Sequence, residues 1–87
     1  MLEPVFEDRF TEQLKQLQKS NKRLAIKTHE LVTDACLHPF TGLGKPEPLK
    51  GNRRGQWSRR IDQKNRLIYR VIEPNLICIS CIGHYDD

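Results

Sequence analysis

No apolar run in the chain approaches the roughly 18 residues needed to cross a bilayer, and no signal-like apolar segment stands near its start. The expectation is a soluble, cytoplasmic chain with no membrane partner. Cysteine is scarce: Cys36, Cys78 and Cys81 make an odd number that cannot close an even disulfide framework, which suits a reducing compartment. A glycine-rich phosphate loop is also missing, because Gly42-Leu43-Gly44 runs into prolines rather than into a helix, and this argues against a nucleoside-triphosphate enzyme. Length is short as well. Eighty-seven residues make one small domain, spanning residues 1–87, which excludes a two-domain enzyme or a cofactor-binding sheet with helices on both faces. Internal repeats and low-complexity segments are absent.

What is present is positive charge, unevenly placed. Residues 1–44 hold six basic and six acidic side chains, whereas residues 45–70 hold nine basic side chains against Glu47 and Asp62. Residues 71–87 add only the acidic Glu73, Asp86 and Asp87, which brings the whole chain to +4. A segment at +7 within 26 residues points to an anionic partner, of which phosphate is the commonest, or else to a solvated charged face.

Hydrophobic spacing divides the chain into a helical half and a stranded half. Leu2, Val5 and Phe6 indicate a short opening strand that Pro4 confines to an edge or a strand end. Phe6, Phe10, Leu14 and Leu17 then recur at helical spacing, and Leu24, Thr28, Leu31, Val32 and Ala35 line a second helical face. Ser20 and Asn21 lie between them, and His38-Pro39 ends the second helix, because a residue before proline disfavours helical torsions. Residues 7–37 therefore read as a helical hairpin. From 39 to 55, three prolines and four glycines describe a loop with a short strand near Leu49. Three β-rich runs follow at 56–61, 66–72 and 76–83, with breaks of hairpin length between them. The expected fold is α+β, with the opening strand and helical hairpin packed on one face of a small antiparallel sheet. In the middle run Leu67, Tyr69 and Val71 share one face, and Arg66, Ile68 and Arg70 the other. Two arginines facing a core would be costly, so their face should open to solvent or to an anion.

Two kinds of chemistry can be weighed on these residues. Cys78-Ile79-Ser80-Cys81-Ile82-Gly83-His84 superficially matches zinc-ligand spacing. Residues three apart on a strand point to opposite faces, however, so the thiols are expected to diverge, and His29 and His38 lie on or beside a helix. Buried, apolar cysteines are the expectation, with neither metal nor cysteine nucleophile. RNA cleavage by the ribose 2′-OH asks for a base, positive charge on the pentacovalent phosphate and an acid for the departing oxygen. Glu47, held between Pro46 and Pro48, offers the base. Lys50, Arg60 and Arg66 offer the charge, and His84, with an ordinary pKa near about 6.5, the acid. Tyr85 can stack on a base or bond a phosphate oxygen. Taken singly, each has an ordinary reading as a surface or terminal residue, and Trp57 reads as core or interface. Read on their own, these residues define a small basic α+β domain with a nucleic-acid partner favoured and catalysis left open.

The blocks Lys45-Pro46-Glu47-Pro48-Leu49-Lys50, Trp57-Ser58-Arg59-Arg60-Ile61, Arg66-Leu67-Ile68-Tyr69 and His84-Tyr85 resemble the YoeB toxin family of the RelE/ParE superfamily. His38-Pro39-Phe40-Thr41-Gly42-Leu43-Gly44 and the two-helix opening resemble it too, so the likeness spans essentially the whole chain. The resemblance implies a RelE-like fold and a ribosome-dependent mRNA endonuclease that cuts in the A site without a metal or other cofactor. It further implies a homodimer and neutralisation by a YefM-type antitoxin. By position it makes Glu47 the general base, His84 the general acid and Arg66 the stabiliser of phosphate charge, with Lys50, Arg60 and Tyr85 holding RNA. Asp86 and Asp87 depart from a pattern that often ends at the His-Tyr pair. The competing readings are a non-catalytic ribosome-, RNA- or antitoxin-binding module of the same fold, and a gyrase inhibitor as in the ParE branch, which the chain resembles less.

Overall fold

Phe10, Leu14 and Leu17 fall on one side of α1 (Asp8–Ser20), and Ala25, Thr28, Leu31, Val32, Ala35 and Cys36 on one side of α2 (Lys22–Leu37). Burying those two stripes against a common surface makes the helices an antiparallel pair. The Asn21 side chain accepts the Leu24 N–H and caps α2 at the turn between them. The computed structural model describes residues 1–83. The surface beneath the helices is a five-stranded sheet in the order β1-β5-β4-β3-β2, built from β1 (Glu3–Phe6), β2 (Glu47–Pro48), β3 (Gln56–Arg60), β4 (Arg66–Ile72) and β5 (Asn75–Ser80).

Strands β2 to β5 are antiparallel neighbours, as the run of short breaks predicts. The opening strand corrects that expectation: β1 pairs parallel with β5, so the sheet is mixed. The helical hairpin carries the chain across the sheet, and the meander then returns β5 to the side of β1 in the same direction. Pro4 sits on this outer strand, where its missing N–H costs nothing. Phe6 ends β1 rather than opening α1, and its ring stacks on Phe10 at 5.0 Å. Leu67, Tyr69, Leu76 and Cys78 fill the core under the helices, and Trp57 packs against its edge with its ring 4.8 Å from that of Phe40.

Cys78 on β5 and Cys81 just past its end do not diverge. Ile68 pairs with Ser80 but Tyr69 with Cys78, so Ile79 is an extra residue that shifts the alternation by one. Cys78 and Cys81 are consequently both fully buried in the same core. Burial pushes each thiol up to about 12, and both sit there as neutral apolar side chains.

One charged residue is also in the core. Arg59 on β3 is 0 % exposed, and all three of its nitrogens are engaged. Nε donates to the Tyr69 hydroxyl at 3.0 Å, and Nη1 to Asp34 Oδ2 at 2.6 Å and to the Leu43 carbonyl at 3.0 Å. Nη2 donates to the carbonyls of His38 at 2.6 Å and Thr41 at 2.8 Å. Tyr69 in turn donates to the Pro39 carbonyl at 2.7 Å. This network ties the end of α2, the 38–43 loop, β3 and β4 together, with the loop carbonyls turned inward onto Arg59 and Tyr69. Gly42, at φ 106°, passes so close to the Asp34 carboxylate that any side chain there would collide with it.

The Leu43 N–H holds the Asp34 carboxyl below its ordinary value; burial opposes this, and the Arg59 guanidinium adds to it. A carboxyl lowered in the folded state stabilises fully above its unfolded pKa and loses that contribution as pH falls through the folded one. Asp34→Asn should therefore cost about 3 kcal/mol at neutral pH, because it leaves Arg59 buried without its counter-charge. Thermal melts across pH should show the gap between the two proteins narrowing below about pH 4. A gap independent of pH would show that the carboxylate charge is not what Arg59 requires.

Candidate functional site

Both helices cover one face of the sheet, so the other face displays every second strand residue. Cross-strand register sorts these residues into rows. Glu47, Ser58, Ile68 and Ser80 form one row, Arg60 and Arg66 the next, and Gln56, Arg70, Ile77 and Val5 a third on the opposite side. Directly opposed residues lie about 5 Å apart at Cα, and Glu47 and Arg66 are separated by β3, at roughly 12 Å between Cα atoms. Long side chains from those positions can converge on a ligand lying over β3.

The position of Glu47 follows from the loop before it. Arg60 N donates to the Gly44 carbonyl at 2.7 Å, Glu47 pairs with Ser58, and Leu49 N donates to the Gln56 carbonyl at 2.9 Å. The 44–49 segment is thus laid along the outer edge of β3. Lys45, in the left-handed region at φ 52°, inserts one extra residue between the Gly44 and Glu47 contacts. Gly44 stands at φ 78°, which favours glycine, and a Cβ there would be tight, at 3.1 Å from the Arg60 carbonyl. Pro48 occupies the edge strand, and Pro46 and Pro48 together keep Glu47 extended and exposed.

Arg66 is placed by the β3–β4 turn. Asp62 Oδ1 accepts the N–H groups of Lys64 at 2.9 Å and Asn65 at 2.7 Å, which tightens the turn. Arg66 Nη1 donates to the carbonyls of Asp62 at 2.6 Å and Asn65 at 3.1 Å, leaving Nε and Nη2 without partners among the described residues. Burial raises the Asp62 carboxyl, but the Asn65 and Lys64 N–H groups, the Asn65 amide and Arg66 outweigh it and bring it below its ordinary value. The last described segment is anchored here too. Arg66 N donates to the Gly83 carbonyl at 2.9 Å, and Gly83 N donates to Asn65 Oδ1 at 2.9 Å. Gln13 of α1 accepts the N–H groups of Cys81 at 2.7 Å and Ile82 at 3.0 Å from the other side.

Of the residues singled out in the sequence, Glu47, Arg60 and Arg66 share the open face. Lys50 is exposed beyond β2, where its carbonyl accepts Arg53 N at 3.1 Å and starts a single helical turn (Gly51–Arg53). His84 and Tyr85, with Asp86 and Asp87, lie outside the described residues. Arg59 was counted in the basic run but is spent inside the fold on Asp34. Asp62, Asn65 and Gln13 were not singled out as site residues. A carboxylate two and three residues before backbone donors at a hairpin break was the available signal for the turn, but nothing local marks Gln13. Among the described residues no group of three or more His, Cys, Asp or Glu side chains could hold a metal ion.

Two helices packed on one face of a five-stranded mixed sheet are the fold of the RelE-like toxins. The family model described as a YoeB-like toxin of bacterial type II toxin-antitoxin system matches residues 6–85. The chain is similar to the toxin YoeB of Escherichia coli K12, at 47 % identity over 68 residues, covering 78 % of this chain and 81 % of that one. A YoeB–YefM complex from Staphylococcus aureus aligns with a TM-score of 0.87 at 36 % identity, covering 98 % of this chain and 99 % of the other. A YoeB dimer from the same organism aligns at 0.89 and 35 %, covering 97 % and 98 %. The chain belongs to the YoeB family of type II toxin–antitoxin toxins.

Removing the Asp62 carboxylate should loosen the turn that aims Arg66. Asp62→Ala is expected to lower stability by about 1 kcal/mol through the lost turn hydrogen bonds. Protection of the Asn65 and Arg66 amides in hydrogen exchange should fall with it, and unchanged protection would show that the turn holds without Asp62.

Proposed function

We propose that the protein is a ribosome-dependent endoribonuclease that cuts mRNA in the ribosomal A site and is neutralised by a YefM-type antitoxin. The observation that carries this reading is the gathering of Glu47, Arg60 and Arg66 on one open face, with the chain segment leading to His84 hydrogen-bonded to Arg66. Cleavage proceeds by proton transfer. Glu47 takes the proton of the ribose 2′-OH, whose oxygen attacks the adjacent phosphorus. The free nitrogens of Arg66 stabilise the charge that builds on the non-bridging oxygens. His84 gives a proton to the departing 5′ oxygen. Lys50 and Arg60 hold flanking phosphates, and Tyr85 stacks on a base or bonds a phosphate oxygen.

An open face supplies charge but little enclosure, so the orientation of the reacting atoms comes from an externally held substrate. The ribosome, which fixes the A-site codon, meets that need and places the protein in the cytoplasm. The S. aureus YoeB structures, one with YefM and one a dimer, support a YefM-type antitoxin and a homodimer for this chain as well.

Programmed ribosomes carrying a defined mRNA provide the test. Glu47→Gln and His84→Gln should each slow cleavage about 10²-fold or more, as expected for loss of a general base or acid. Both should keep the wild-type melting temperature. A near-normal rate in Glu47→Gln removes the proposed base; wild type that binds the ribosome without cutting replaces the enzyme with a binding module.

A further inference from the structure

At its end β5 loses both neighbours. Ser80 makes the last pair with β4 and Cys78 the last with β1, which then gives way to α1. The next three backbone donors, at Cys81, Ile82 and Gly83, have no ladder to join among the described residues, although Cys81 is fully enclosed. Side-chain amides take all three instead. Gln13 Oε1 accepts from Cys81 at 2.7 Å and from Ile82 at 3.0 Å, which fills both of its lone pairs. Asn65 Oδ1 accepts from Gly83 at 2.9 Å.

The two amides reach this segment from different elements. Gln13 lies between the buried Phe10 and Leu17 on one side of α1, so the packing of that helix fixes where its side chain starts. Asn65 belongs to the β3–β4 turn, where its Nδ2 donates to Asp62 Oδ2 at 3.4 Å and its carbonyl accepts Arg66 Nη1 at 3.1 Å. One turn residue thus holds both the guanidinium of Arg66 and the residue immediately before His84. Gly83 is exposed and has no side chain to pack, so its backbone contacts are what fix it. His84 follows it directly in the chain, and the 81–83 backbone sets the point from which the imidazole departs.

We infer that Gln13 and Asn65 are positioning residues for the cleavage step, holding the 81–83 backbone so that His84 delivers its proton to the 5′ oxygen as the P–O5′ bond breaks. The inference rests on the endonuclease reading and deepens it, since neither residue touches the RNA. A general acid works only within hydrogen-bond reach of the atom it protonates. Displacing it by about 1 Å costs about 10²-fold in rate, so a terminal segment needs a hold of this kind. The shared turn keeps that acid in register with Arg66, which carries the charge of the same phosphate.

Single-turnover cleavage of a defined mRNA on programmed ribosomes, with the full-length protein, tests this in a double-mutant cycle. Gln13→Met keeps the length and helix preference of the side chain but not its acceptor. It should slow cleavage about tenfold while the ribosome concentration giving half the maximal rate stays the same. Asn65→Ala gives up the contact to the exposed Gly83 and spares the enclosed Cys81, so it carries the test should Gln13→Met fold poorly. Rates are compared well below every melting transition. In a His84→Gln background either substitution should change the rate by less than about twofold, because the group it positions is gone. In a Glu47→Gln background each should keep its full effect. A loss of equal size with and without His84, or no loss from either substitution, overturns the positioning role and leaves these contacts to stability alone. Wild type that binds ribosomes without cutting defeats the endonuclease reading, and the inference with it. A wild type that cuts, with an additive cycle, defeats the inference alone.

Discussion

A guanidinium enclosed in a chain of this size has to be satisfied completely or the fold fails, and Arg59 is satisfied by groups from three other parts of the chain. Its fork takes the Asp34 carboxylate from α2 and three carbonyls from the loop that follows, while its Nε meets Tyr69 on β4. Taking a charge out of water is expensive, so the pair with Asp34 is poor evidence for stability by itself. Its consequence is geometric. Phe40 and Leu43 of the 38–43 loop stay about half exposed, so the path of that loop is fixed mainly by the carbonyls it gives to Arg59. Gly44 leaves that loop against β3 and delivers the next residues as an added edge strand. The carboxylate of Glu47 is therefore aimed by a buried arginine on the opposite face of the neighbouring strand.

This arrangement separates two jobs that small domains often mix. The hydrophobic core lies on the helix side, where Leu67, Tyr69, Leu76 and two neutral cysteines meet the helical stripes. The far side is left to charge. Its central strand tolerates Arg66 and Arg70 because no layer of the described residues covers them, and Ile68 between them is buried by its neighbours rather than by a second core. Such a face attracts polyanions from any direction but orients them weakly. It fits a substrate that arrives already held, and a long ligand that can touch several rows at once.

Much of this was legible from spacing alone. The β4 run from 66 to 72 coincides with the observed strand, and alternation along it correctly separated the arginines from the core. Helical periodicity found both members of the hairpin. What escaped depends on contacts distant in sequence. The parallel pairing of β1 is set by where the meander ends, which no local pattern records. The extra residue at Ile79 turned two cysteines to the same side, because alternation holds only while register does. Arg59 looked like one more member of a basic run, and only the fold reveals that its neighbour Arg60 faces solvent while it faces Asp34. Within the site, Glu47 was legible through its flanking prolines, whereas nothing local marks Gln13, which accepts the N–H groups of Cys81 and Ile82.

The central claim is that this face performs 2′-OH transesterification on mRNA, and the ends of the cut strands report on it directly. Fragments made by the wild-type protein on programmed ribosomes should map to the A-site codon and carry a 2′,3′-cyclic phosphate on one side and a 5′-hydroxyl on the other. Fragments ending in a 3′-hydroxyl and a 5′-phosphate would require water rather than the ribose as nucleophile and would contradict the role given to Glu47.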